Sequence, residues 1–118
     1  MIKIIVPGEL PAMNEIIKAA KSSPYVYSRL KKDNTNTIAW LSKNKPNMRR
    51  IWLNITYVCA NRKKDPDNIA VAKKFILDGL VAAGVIPNDG WNEIAGWKED
   101  FEVDKKDPRI EIVIEEVV

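Results

Sequence analysis

The chain contains no histidine and only one cysteine, Cys59, among its 118 residues. A lone cysteine cannot build a disulfide framework within the chain, and without histidine the usual Cys/His zinc sites are excluded too. The same absence removes the commonest general base and every Ser-His or Cys-His nucleophile arrangement. Any catalysis must therefore run on carboxylates, lysines or a metal ion held by oxygen, and oxygen donors suit Mg²⁺ or Mn²⁺. Long apolar runs are missing as well: none approaches the roughly 20 residues that span a bilayer. The opening run Met1 to Val6 carries one lysine and breaks at Pro7-Gly8, which reads as a first strand and not as a secretory leader. The expectation is a soluble protein of a reducing cytoplasm with no membrane partner.

What is present fits a globular domain. Hydrophobic residues make up 46% and charged residues 30%, and the length suits a single domain spanning residues 1–118 with a sizeable core. A net charge of +3 says little alone. Its distribution says more: Lys31-Lys32, Arg49-Arg50 and Arg62-Lys63-Lys64 form clusters, and the last abuts Asp65.

Along the chain, residues 2–6 read as a strand. Residues 7–24, punctuated by Pro7, Gly8, Pro11, Ser22, Ser23 and Pro24, read as loop with one helical turn around Asn14 to Ala20. A helix is expected over 25–43, with Tyr27, Leu30, Ile38 and Leu41 as its apolar positions, and it breaks at Lys43 to Asn47. Residues 49–59 alternate as a strand, with Ile51, Leu53, Ile55, Tyr57 and Cys59 on one face. A second helix is predicted over 67–83, closed by Gly84, followed by a turn at Asn88-Asp89-Gly90 and strands over 93–103 and 109–116. This order predicts an α/β (α+β) single domain: a mixed β-sheet with helices packed on it.

The stretch from Lys63 to Leu80, KKDPDNIAVAKKFILDGL, carries the chemistry. On a continuous helix at about 100° per residue, Ile69, Ala72, Ile76, Leu80 and Ala83 turn toward the sheet. Asp67, Lys74 and Asp78 then fall on the opposite side within about 40° of each other. Lys73 points about 100° away from Lys74, where its stem lies on the flank of the core and its amine snorkels to solvent. Two readings fit. Asp65 as N-cap, Pro66 in the first turn and Asp67 beside it are good helix-starting chemistry, with Lys74 and Asp78 an ordinary i,i+4 pair. Alternatively, the carboxylates hold a metal ion. An EF-hand is excluded, because its glycine and distal glutamate are missing from their positions. Asn88-Asp89-Gly90 reads equally as a plain β-turn. Trp52, Trp91 and Trp97 are core residues in the main, or else interface or base-stacking residues.

The pattern Asp65-Pro66-Asp67-Asn68, then Lys74 four residues ahead of Asp78, then Ala82-Ala83-Gly84-Val85-Ile86-Pro87-Asn88-Asp89, resembles the RusA family of Holliday-junction endonucleases. The likeness is close over residues 62–90, and Leu10 to Asn14 is similar to the family's Pro-rich strand exit more loosely. The spacer before Lys74 is longer than in compact members by about one helical turn, which makes Lys73 the competing choice. Asn88-Asp89 stands where the family commonly closes on two aspartates. The resemblance implies a RusA-like fold and a Mg²⁺-dependent phosphodiester hydrolase, with Mn²⁺ as a substitute ion. The resemblance further implies that Asp65, Asp67 and Asp89 are the catalytic metal ligands and that Lys74 is the cation facing the phosphate. Arg62, Lys63, Lys64, Asn68, Lys73 and Asn14 are the implied DNA contacts. The implied partner is branched DNA, not a small molecule, and two symmetric nicks imply a homodimer. A helix of about 25 Å separates Asp67 from Asp89, so Asp89 must return through a folded-back segment or come from a partner chain. A flap or fork nuclease with the same site, a non-catalytic DNA-binding module, and an interaction protein without nucleic acid are the rival expectations.

Overall fold

Alternation in residues 51–59 organises the whole molecule. The computed structural model, which describes residues 1–118, contains β1 (Ile2–Pro7), α1 (Met13–Ser22), α2 (Pro24–Leu41) and β2 (Ile51–Cys59) in its first half. Then follow α3 (Pro66–Ala70), α4 (Lys73–Ala82), β3 (Ile94–Val103) and β4 (Arg109–Glu116). The strands form one sheet in the order β1-β4-β2-β3, antiparallel except for the β2–β3 pair, which is parallel and bridged by α3 and α4. This is the mixed sheet of an α+β domain. No helix is long and apolar enough to cross a membrane.

Cross-strand register explains where the core lies. Ile4, Ile112 and Ile55 form one row across β1, β4 and β2, and Ile2, Ile114 and Leu53 form the next. Ile38 of α2 and Ile76 and Leu80 of α4 join these residues in one buried cluster, so the helices cover this face. Each fully buried Ile or Leu contributes roughly 1.5–3 kcal/mol of transfer free energy. At the β3 edge the same rows end in Trp97 and Glu99, with Phe101 beside Tyr57, so the helix-facing side turns aromatic and acidic there. The opposite face carries Asn54, Thr56, Lys98, Asp100 and Glu111. Helices α2 and α4 touch at Gly79, where an added Cβ would run into the side chain of Ile38.

Two expectations are corrected. Residues 13–22 are a full helix where only one turn around Asn14 to Ala20 was expected: the prolines flank the segment, and Ser22 is its last residue. Glu15 accepts a long hydrogen bond from the Ala12 N–H (3.5 Å) at the start of α1. Ser23 ends α1 and caps α2, its Oγ accepting from the Val26 N–H (3.1 Å), with Pro24 in the first turn. The helix expected over 67–83 is two segments, α3 and α4, interrupted at Val71 and Ala72. There the bonding tightens to i→i−3, from the Ala72 N–H to the Ile69 carbonyl (3.1 Å) and from the Lys74 N–H to the Val71 carbonyl (3.2 Å). Ala72 is buried in the core at this point. The tighter turn rephases α4 relative to α3, and the predicted stripe is broken between Asp67 and Lys74.

Candidate active site

Strand β2 delivers the chain to its carboxyl end at Cys59, and the exposed connection Asn61 to Lys64 leads into α3. In parallel βαβ units this end of the sheet is where ligands are usually met. Asp65 occupies the N-cap position with extended backbone, and its carbonyl accepts from the Asn68 (3.0 Å) and Ile69 (3.1 Å) N–H groups. Its carboxylate, however, makes no capping hydrogen bond and enters no ion pair. Asp67 accepts only the N–H of its neighbour Asn68 (2.9 Å). Both carboxylates are exposed. The helix-starting reading is therefore satisfied by the Asp65 backbone, while the Asp65 carboxylate stays free and that of Asp67 takes one neighbouring N–H.

The basic connection is partly anchored. The Lys64 ammonium meets Glu15 of α1 at 2.7 Å, and this bond holds its pKa above the ordinary lysine value. Asn14 precedes Glu15 on α1 and is exposed. The Lys63 N–H donates to Asn61 Oδ1 (3.0 Å), and Arg62 is exposed with no ion pair.

Asp89 does return. Gly84 adopts a left-handed conformation (φ +77°), which lets the chain reverse beyond α4. The Val85 N–H bonds back to Leu80 (2.9 Å), and Val85 and Ile86 are buried beneath the reversal. Asp89 thereby comes within 3.8 Å of Lys74 Nζ, which also lies 3.1 Å from Asp78. The hydrogen bond that Lys74 donates to Asp78, with the charges of Asp78 and Asp89, holds its ammonium above its usual pKa despite slight desolvation. The return is thus made within the chain, yet it ends at Lys74. No three carboxylates gather into a group that could hold a metal ion. Mg²⁺ is commonly held by one or two carboxylates together with substrate phosphates. The free pair Asp65 and Asp67 fits that kind of site; Asp89 does not join it in the single chain.

Lys73 lies apart from this group. Its ammonium sits 2.9 Å from Glu99 Oε1 and 4.4 Å from the centroid of the Trp97 ring. The Tyr57 hydroxyl donates to the other oxygen of Glu99 (2.7 Å). Burial, reinforced by Glu99, pushes the Tyr57 phenol far above its ordinary pKa. Side-chain exposure separates the two lysines clearly: 20% for Lys73 against 65% for Lys74. The sequence pointed to the flank position of Lys73, but the amine expected in solvent is instead held by Glu99, whose place beside Ile55 follows only from the parallel register of β3. Phe101, stacked on Tyr57 at 5.2 Å, and Trp97 and Val103 stay exposed along the unpaired edge of β3. Trp52 is half-buried, its ring filling the space left open at Gly96.

Comparison with models of protein families and with curated proteins gives no match to this chain.

Proposed function

We propose that this chain is a RusA-like, Mg²⁺-dependent endodeoxyribonuclease that resolves four-way DNA junctions by paired symmetric nicks. The observation that carries this reading is the pair Asp65 and Asp67: two exposed carboxylates at the carboxyl end of the central strand whose side chains stabilise almost nothing in the fold. When bound, Mg²⁺ supplies Lewis acidity for water attack and offsets charge on the phosphate. Asp65 and Asp67 are the residues that would hold the ion, with substrate phosphate oxygens completing the site. Asp89 would be the third ligand only on leaving Lys74, which in the single chain it shares with Asp78. Lys74 keeps its proton and brings positive charge to the phosphate as negative charge develops there. Arg62, Lys63, Lys64 and Asn68 at the corner, and Asn14 on α1, are suited to DNA phosphates, so affinity falls as salt rises.

Two symmetric nicks need two sites, hence a homodimer. A non-catalytic DNA-binding module is the second reading, favoured by the separation of Asp89 from the acidic pair.

The test is cleavage of a synthetic four-way junction, a flap, a fork and a linear duplex, each with Mg²⁺ and with chelator. Symmetric Mg²⁺-dependent nicks in the junction support the proposal. Faster cutting of flaps or forks selects the same site with another substrate. Binding without nicking selects the module, and absence of both removes nucleic acid from the account.

A further inference from the structure

Trp91 is 95% exposed, more than any other aromatic residue of the chain, although the turn that carries it is tightly held. The Gly90 N–H donates to Glu93 Oε1 (3.1 Å), and the N–H groups of Glu93 (3.2 Å) and Ile94 (3.0 Å) return to the Gly90 carbonyl. From β2's entrance, the Arg50 guanidinium donates to the carbonyls of Trp91 (3.1 Å) and Asn92 (3.2 Å). The backbone is fixed while the indole remains in water. Such an arrangement presents a flat apolar face with little ordering cost left to a ligand.

The ring also borders a cleft. Leu77, Asp89, Gly90, Trp91, Ile94 and Trp97 line a depression of about 450 Å³, open to solvent and mostly apolar. Volumes of this order take small planar ligands, oriented by a few polar groups. Asp89, on this wall, is the carboxylate that meets Lys74. Arg49 and Arg50 are exposed on the adjoining segment. Asp89 is the only charged group of the lining, and Lys74 against Asp89 and Lys73 over the Trp97 ring bring two ammonium groups to its border. The cleft is thus continuous with the proposed site at Lys74 and Asp89, whose DNA substrate carries its own aromatic rings.

We propose that the cleft between Trp91 and Trp97 receives an unstacked nucleobase of branched DNA, with Trp91 as its stacking platform. This inference rests on the nuclease reading and adds a binding subsite beside Lys74 and Asp89. Bases within a duplex are already stacked and offer no free face, so the subsite discriminates branch points from linear DNA.

The experiment compares wild type, Trp91→Ala and Trp91→Phe in chelator, so that no cutting occurs. The probes are a four-way junction with 2-aminopurine at the branch point and a linear duplex of equal length. One stacked base is worth about 1–3 kcal/mol, so Trp91→Ala is expected to weaken junction binding by about five- to a hundredfold. The variant should also abolish the wild-type change in 2-aminopurine fluorescence. Duplex affinity and the thermal melt stay as in wild type, and Trp91→Phe keeps most of the junction affinity. Unchanged junction affinity in Trp91→Ala overturns the inference. Equal losses on junction and duplex overturn it as well, as does a loss that disappears at high protein concentration, because the ring would then serve the fold or a protein interface. Wild type that nicks junctions while Trp91→Ala binds normally defeats this inference alone. Wild type that binds no branched DNA defeats the nuclease reading with it.

Discussion

Lys73 and Lys74 are adjacent in sequence but sit in opposite surroundings, one half-enclosed and one on the surface, so truncating each in turn has different expected outcomes. Lys73 makes a 2.9 Å ionic hydrogen bond to Glu99 where both side chains are about four-fifths buried, and it lies over the Trp97 ring. A hydrogen bond to a charged group contributes about 1.5–3 kcal/mol, and an amine over an indole about 0.5–1 kcal/mol. Lys73→Ala forfeits both and leaves Glu99 with Tyr57 alone, so a loss of about 2–3 kcal/mol is expected. For a domain of this size that lowers the melting temperature by roughly 6–12 °C. Lys74 pairs with Asp78 at 3.1 Å on the surface. Exposed pairs are worth about 0–1 kcal/mol, so Lys74→Ala should melt within about 4 °C of wild type. Activity reverses the order. Single-turnover cleavage at saturating enzyme should fall by orders of magnitude in Lys74→Ala with junction affinity near normal, because its charge acts on the transition state. Lys73→Ala, assayed well below its melting point, should cut at nearly the wild-type rate. A Lys74→Ala protein that melts many degrees low, or a Lys73→Ala protein that is folded but slow, would refute the assignment of the two faces. The double variant Lys73→Ala/Glu99→Gln, destabilised no more than Lys73→Ala alone, would confirm that the pair acts as a unit.

Gly79→Ala should destabilise by about 1–3 kcal/mol in denaturant unfolding, because the new methyl meets Ile38, although alanine is the better helix former. A gain in stability would mean that α2 and α4 do not approach as described. Lys74 has a folded-state pKa raised by its bond to Asp78 and by Asp89. The sign follows directly: the stabilisation is fully present below the unfolded lysine value of about 10.4 and is lost as pH rises through the folded value. No alkaline loss of cleavage traceable to Lys74 is expected below about pH 10. In Asp78→Asn the Lys74 side-chain titration, followed by NMR, should move down toward the ordinary value; an unmoved titration would contradict the pairing.

Strands were legible wherever one face is buried. Ile51, Leu53, Ile55 and Tyr57, and likewise Ile110, Ile112 and Ile114, alternate because the helices cover one side of the sheet. Helix α1 was hidden by its own boundaries: Pro11 before it and Ser23-Pro24 after it are start signals, and within a short segment they resemble a loop. The break at Val71–Ala72 left no mark, since both residues also suit a continuous apolar face; packing of Ala72 decided it. Glu99 lies far from Lys73 in sequence, and only strand register brings them together. Asp89's approach to Lys74 depends on a reversal at Gly84, whose direction a glycine permits without specifying. At the corner, the residue types announced either a cap or a ligand pair. That the Asp65 carboxylate makes no capping bond is a tertiary fact, which the residue types did not carry.

The most direct measurement on the central claim is made with Asp67→Asn: a thermal melt, junction binding in chelator, and junction cleavage with Mg²⁺. Asp67 accepts only a neighbouring N–H, so the melt should coincide with that of wild type. Junction binding should be retained or tighter, and Mg²⁺-dependent nicking should disappear. Nicking at the wild-type rate would contradict the claim, and a loss of about 1 kcal/mol with nicking intact would return Asp67 to helix capping.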